Sequence, residues 1–194
     1  MDPLIVALRD GRTARLRPAG PGDRDAVQRF VRGLSPLARR RRFFGPVAEL
    51  APDQLDRLTG VRDPRELVLV AEDASASRIV ALAQYALDDE REAEFAVVVA
   101  DDWQRVGLAR QLLDALAACA AGCGIAALSG IVLAENWPML GLAAAAGFDL
   151  ADGSEPQFVH VRKVLAPRRS GGVVGRLTGA WQDATRAFEV APAR

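Results

Sequence analysis

Apolar residues along this chain change period several times, and each change marks an element. Thr13-Ala14-Arg15-Leu16-Arg17 alternates and predicts a first strand. Asp23 caps a helix running to about Val31, with Ala26, Val27, Phe30 and Val31 on one face. Ser35 and Pro36 suit the N-cap and first position of a second helix, which ends at Phe43-Phe44-Gly45-Pro46. Pro52 to Thr59 predicts a third short helix. Leu67 to Glu72 and Ile79 to Leu87 read as a hairpin turning at Asp73 to Arg78. A charged turn, Asp88 to Glu92, precedes Ala93 to Ala100, a Val-rich run with the look of a buried strand.

Asp101 and Asp102 end that run. Leu residues at helical spacing then predict a helix from Leu108 to about Ala121, stopped by Gly122 and Gly124. Ile125 to Leu133 is the next strand. Asn136 fits an N-cap and Pro138 a first turn, so a helix follows to Ala146, with Gly147 as its cap. Phe148-Asp149-Leu150 begins a return, and Gln157 to Leu165 alternates as a final strand.

Three antiparallel strands followed by a strand–helix–strand crossover predict an α+β fold. Its sheet is mixed and mostly antiparallel, of about six to seven strands flanked by helices. The domain covers residues 13–165. Residues 1–12, with the apolar run Leu4 to Leu8 and the turn signal Asp10-Gly11, form an N-terminal extension. Residues 166–194 form a linker and a tail helix, whose Leu177, Trp181, Ala184 and Phe188 share a face for packing on the domain or for a dimer or partner contact.

Composition narrows the function. The 194 residues suffice for one domain with a real core, and half are hydrophobic. Net charge is zero, which argues against a nucleic-acid partner. No apolar run reaches a membrane span, and Met1-Asp2-Pro3 begins no signal peptide, so the expected location is cytoplasmic. Cys119 and Cys123 lie four apart on one helix with no His nearby, and His160 is the only histidine, so neither a metal site nor a His-based triad is expected. Lys163 is the only lysine. The run Arg39 to Arg42 reads as a solvated helix face or as a site for CoA phosphates or an acidic substrate.

The stretch from Ala93 to Arg110 carries the chemistry. A strand, a tight loop and a helix N-terminus leave backbone N–H groups open and add the helix dipole, which together make an anion site. Gly107 lets the backbone approach a ligand, and Ala109 does not block it. No Lys or Ser/Thr follows the glycine as in a Walker A loop, and no GxGxxG follows a strand.

Gln104-x-x-Gly107-x-Ala109 resembles the Q/R-x-x-G-x-G/A signature of the GNAT acetyltransferases, whose loop binds the pyrophosphate of acetyl-CoA. AENWPMLGLAAAAGF, from Ala134 to Phe148, resembles the family's second cofactor segment. LRPAGPGDRDAVQRFVRGLSP, RRFFGP, Glu49-Leu50-Ala51-Pro52, AEFAVVV and AENWPML are similar to one branch, the catalytic domain of bacterial Pat-type protein lysine acetyltransferases, over roughly Ala14 to Leu165. The resemblance implies a GNAT fold and transfer of acetyl from acetyl-CoA to a protein lysine, often on an acyl-CoA synthetase. It implies that the edge of Val97, Val98 and Val99 pairs with the pantetheine amides. Arg105, Val106, Gly107, Leu108, Ala109 and Arg110 meet the pyrophosphate with Gln104, and Asn136 bonds the thiol end. Glu94 matches the family's catalytic Glu. An ammonium cannot attack a thioester, so a base must take its proton, and a carboxylate on an apolar strand suits that task when burial raises its pKa. Glu92 and Glu90, in the turn, are the solvated competitors.

Two departures stand out. Leu142-Ala143-Ala144 offers no Tyr to protonate the leaving thiolate, as in much of the Pat branch. Arg105 and Val106 replace the branch's small–basic pair, which predicts weaker cofactor binding or a compensating arginine from Arg39 to Arg42. The alternatives are a small-amine acetyltransferase of the same fold, a non-catalytic acetyl-CoA sensor and a structural interaction protein acting through the tail helix. The assembly is a monomer or homodimer.

Overall fold

The computed structural model describes residues 3–60, 65–88, 91–153 and 155–166. The proposed tail helix and Glu90 lie outside the described residues. The first predicted strand, the hairpin and the Val-rich run form β2 (Thr13–Pro18), β3 (Glu66–Asp73), β4 (Ile79–Leu87) and β5 (Glu92–Val99), each antiparallel to the next. A crossover through α4 (Leu108–Gly122) returns the chain to β6 (Ala127–Leu133), the one strand parallel to its neighbour β5. Then come α5 (Trp137–Ala145), β7 (Asp149–Asp152) and β8 (Phe158–Val164), with β8 inserted between β6 and β7.

Among the described residues the sheet has eight strands, one more than the upper expectation. β1 (Leu4–Ala7) comes from the N-terminal extension and pairs antiparallel with β2. β7, Asp-Leu-Ala-Asp, buries no residue, so no apolar alternation announces it, and its antiparallel pairing with β8 holds it.

Pleating divides the side chains between two cores. Along β3, Leu67, Leu69 and Ala71 face α4, while Val68 and Val70 face α1 (Arg24–Gly33), α2 (Pro36–Phe43) and α3 (Pro52–Thr59). Leu108, Leu112, Leu113 and Leu116 bury the inner face of α4, each contributing about 1.5–3 kcal/mol by removal from water. Val27, Phe30 and Val31 of α1 meet Leu82 and Val98 across the other face.

Arg17 joins the meander to α1. Its two terminal nitrogens donate to both oxygens of Asp23 at 2.7 Å, and its Nε donates to Glu72 at 3.1 Å. Asp23 also accepts the Gly20 N–H at 2.8 Å. The Arg17 guanidinium holds the Asp23 carboxyl below the usual carboxylate range, against the opposing pull of burial. Arg17→Met leaves Asp23 buried and unpaired. The cost is about 2–3 kcal/mol, below that of a fully buried pair because the Arg17 side chain is 30% exposed. At pH 7 the expected fall in Tm is about 5–10 °C. Asp23 has a depressed folded pKa, so its stabilisation is complete above the unfolded value of about 3.9 and lost as pH falls through the folded one. The gap between wild type and variant therefore narrows below about pH 4. Thermal melts across pH check this, and an unchanged Tm at pH 7 refutes it.

Candidate active site

β5 and β6 pair only at Glu92/Ala127, Ala93/Leu128 and Glu94/Ser129, and then they part. Phe95 follows the last pair, its ring packed in the core under α4 at 5.0 Å from that of Phe148. Gly130 makes room for it, since a Cβ there would lie 3.1 Å from the Phe95 ring and 3.2 Å from its carbonyl oxygen. The split opens a cleft of about 580 Å³.

The Ala100 N–H donates to Val80 on β4 at 2.8 Å, which fixes the alternation along β5. The N–H and C=O groups of Phe95, Val97 and Val99 therefore face the cleft. The Gln104 side-chain amide donates to the Val99 carbonyl at 3.1 Å, leaving the Val97 groups as the open edge at the middle of the strand. Val98 points its side chain into the core under α1.

At the far end of β5 the chain makes a 3-10 turn over Asp101–Trp103 and enters the loop. Arg105 and Gly107 both adopt left-handed conformations, with φ of 62° and 97°. Gly107 is the N-cap of α4 and brings no side chain, so the N–H groups of Leu108, Ala109 and Arg110 are not capped by it. Arg110 also braces the loop against the end of α5, donating to Asp114 at 2.8 Å and to the Ala145 carbonyl at 2.9 Å.

Gln104, Arg105, Gly107, Ala109, Arg110, Asn136 and Val97 to Val99 all line the cleft. Val106 and Leu108 do not, because their side chains turn into the core; of these two, only backbone groups are available to a ligand in the loop. Asn136 holds the N-cap position of α5 but makes no capping bond; it is 8% exposed and lines the cleft instead.

Arg9 is the residue sequence reasoning missed. Its backbone N–H donates to the Val106 carbonyl at 3.1 Å, and its side chain lies within 3.9 Å of where a Gly107 Cβ would sit. Arg12 completes the junction by donating to the Asp102 carbonyl at 2.9 Å and stacking 4.1 Å over Trp103. No local motif marks Arg9, since only the β1–β2 pairing brings it to a loop a hundred residues away.

The expected compensating cation from the second helix is placed differently. Arg39 donates to the Ala48 carbonyl at 3.2 Å, and Arg40 pairs with Glu135 at 3.4 Å. Ser35 ties the start of α2 to Asp101 with bonds of 3.0 and 2.6 Å, so the helix runs back along β5 toward Glu94. Arg41 and Arg42 line the cleft there. Burial pushes the Arg42 guanidinium below its ordinary pKa, with the Glu94 charge pulling it back.

Among the described residues, Glu94 is the one carboxylate lining the cleft, and no His, Cys, Tyr or Lys joins it. It is exposed, so the burial expected from an apolar strand is absent: Glu94 lies on the α2 face of β5, at the mouth of the split. Glu92 is paired with Arg162 at 3.1 Å and does not line the cleft. The only tyrosine, Tyr85, is 1% exposed beneath α4, where burial drives its phenol far up in pKa. Among the described residues, no His, Cys, Asp and Glu group is placed to hold a metal ion, and no helix is long and apolar enough to cross a membrane.

The geometry suits a long, anionic, amide-bearing ligand: an open strand edge in the middle, an uncapped loop with arginines at one end, a carboxylate at the other. Acetyltransferase PA5475 of Pseudomonas aeruginosa is 34% identical over 151 residues, covering 76% of this chain and 81% of that protein. The GNAT domain of S. lividans PAT superposes with a TM-score of 0.79 at 28% identity, over 84% of this chain and 97% of that one. Spermidine N-acetyltransferase from Vibrio cholerae, solved with CoA and spermine, shares the fold with a TM-score of 0.64 at 20% identity, over 78% and 95% of the two chains. The model of the acetyltransferase (GNAT) family matches residues 35–148, from the N-cap of α2 through the split strands and the loop to Phe148, and the chain belongs to that family.

Proposed function

We propose that this protein transfers an acetyl group from acetyl-CoA to the side-chain amine of a lysine on another protein, with Glu94 as general base. The observation that carries the reading is that Glu94 is the only proton acceptor of its kind among the described residues lining the cleft. Acetyl-CoA supplies the thioester. The Val97 edge hydrogen-bonds the pantetheine amides, the N–H groups of Gly107 to Arg110 with Arg9 and Arg105 hold the phosphates, and Asn136 orients the thiol end. Glu94, directly or through one water, takes the proton of the acceptor ammonium. The amine nitrogen then bonds the acetyl carbon and the carbon–sulfur bond breaks; the nitrogen's second surplus proton passes through water to the departing CoA thiolate, since the cleft lining offers no phenol to supply one.

Two observations favour a protein acceptor. The likeness to the S. lividans PAT domain extends over nearly that whole chain. The cleft mouth also carries exposed Phe44 and Ile131, with Trp137 beside it at 74% exposure, which suits contact with a protein surface. A polyamine is a poor fit, because the lining residues include five arginines and one carboxylate. The acceptor belongs to another molecule: Lys163, the only lysine, donates its Nζ to the Ala146 carbonyl at 2.6 Å. An acyl-CoA synthetase in the cytoplasm is the partner this reading names, with the enzyme a monomer or homodimer.

Thiol release and mass spectrometry with an acyl-CoA synthetase and spermidine as parallel acceptors test it. Acetyl-lysine on the synthetase with little spermidine turnover is expected. The reverse result moves the acceptor to a small amine, and acetyl-CoA binding without turnover on any amine points to a sensor.

A further inference from the structure

We propose that Arg41 and Arg42 form a carboxylate-binding subsite beside Glu94, so that the preferred acceptor carries a carboxylate close to its reacting amine. This rests on the acetyl-transfer reading of the cleft. The four arginines of α2 have different surroundings. Arg39 and Arg40 have partners on the protein, while Arg41 and Arg42 line the cleft and, among the described residues, join no ion pair. The Arg41 Nε is buried without a hydrogen-bond partner. Cations suit the last turn of a helix, which accounts for arginines at this end of α2. It does not account for a guanidinium nitrogen kept dry and unpaired at a cavity wall, which is ordinarily completed by a partner.

Charge at this end of the cleft points the same way. Glu94 offers one negative charge against two guanidiniums, so the end is net positive before any acceptor enters. A bare ammonium arriving there meets repulsion. An acceptor that brings its own carboxylate removes it, and a guanidinium fork suits a planar carboxylate. With the carboxylate on the arginines, Glu94 stays free for the amine proton. The arginines of the phosphate end, Arg9, Arg105 and Arg110, gather at the other end of β5 around the loop, so the two anion sites are separate.

The carboxylate has two possible sources: an acidic side chain next to the target lysine, or the α-carboxylate of a free amino acid. The test uses paired probes with acetyl-CoA saturating. One pair is a lysine peptide flanked by Asp and Glu and its Asn/Gln counterpart. The other is an α-amino acid and its carboxamide. For the wild type, kcat/KM is expected to be about 10- to 100-fold higher for the acidic peptide than for its amide twin. In Arg41→Gln/Arg42→Gln the gap closes while the Kd for acetyl-CoA is retained, which also reports that the variant is folded. Arg41→Lys/Arg42→Lys recovers part of the gap through charge alone. A preference confined to the free amino acid over its carboxamide supports the subsite and refutes the protein-lysine reading. Equal rates on both members of each pair, or a gap that survives in the Gln variant, overturn the subsite and leave acetyl transfer standing. Turnover on no probe overturns both.

Discussion

Glu94→Gln is expected to lower turnover by about 10²- to 10⁴-fold, the usual contribution of a positioned acid–base group, with acetyl-CoA affinity unchanged within about twofold. The substitution keeps the shape and removes the proton acceptor together with the negative charge that faces Arg42. Among the described residues no other lining side chain can take over: none is a second carboxylate, His, Cys, Tyr or Lys. Glu92 is the nearest carboxylate along the strand, and Arg162 holds it. The residual reaction then depends on acceptor that arrives already neutral. With a lysine pKa near 10.4, that fraction rises about tenfold per pH unit below it, and so should the variant's rate between about pH 7 and 9. A variant that merely distorted the cleft would show a low rate without that slope, or a raised Kd. Retention of more than about a tenth of wild-type turnover at pH 7 would remove Glu94 from the role. Calorimetry for binding and thiol release for rate make the two readouts independent.

Most of this fold announces itself locally. β3, β4 and β5 read as nearly continuous apolar runs because one face of each meets α4 and the other meets α1 to α3, and Leu112, Leu113 and Leu116 repeat because α4 buries a single stripe. The loop is legible for the same reason, since Gly107 must sit where a side chain is strained. What the sequence conceals depends on contacts across the chain. β7 has no buried residue and exists through β8. Arg9 reaches Gly107 only because β1 pairs with β2 and the Arg9 N–H bonds the Val106 carbonyl. Arg41 and Arg42 are indistinguishable in sequence from Arg39 and Arg40. The bond between Ser35 and Asp101 sets the direction of α2, and that direction divides the four into two that face protein and two that face the cleft. Glu94 is similar: the Val run around it suggests burial, whereas its place at the start of the split leaves it exposed.

Gly107→Val is expected to raise the Kd for acetyl-CoA about 100-fold or more while the protein remains folded. With φ at 97°, any side chain at this position is strained, by roughly 1–2 kcal/mol for an ordinary residue and more for a β-branched one. The space itself is not the obstacle, since a Cβ would meet only the Arg9 side chain, at 3.8 Å. The loop relieves the strain by rotating, and the N–H groups of Leu108, Ala109 and Arg110 rotate with it. Losing two hydrogen bonds to a charged phosphate, at about 1.5–3 kcal/mol each, gives the expected factor. Gly107→Ala should fall between wild type and Val. Arg9→Ala separates backbone from charge: it leaves the loop conformation in place, removes one cation, and should raise the Kd about tenfold with a shallower dependence on salt. Calorimetric titrations at two ionic strengths read both effects. Wild-type affinity in Gly107→Val would mean that the ligand phosphates do not rest on this helix N-terminus, and the orientation of acetyl-CoA along β5 would have to be reversed or abandoned.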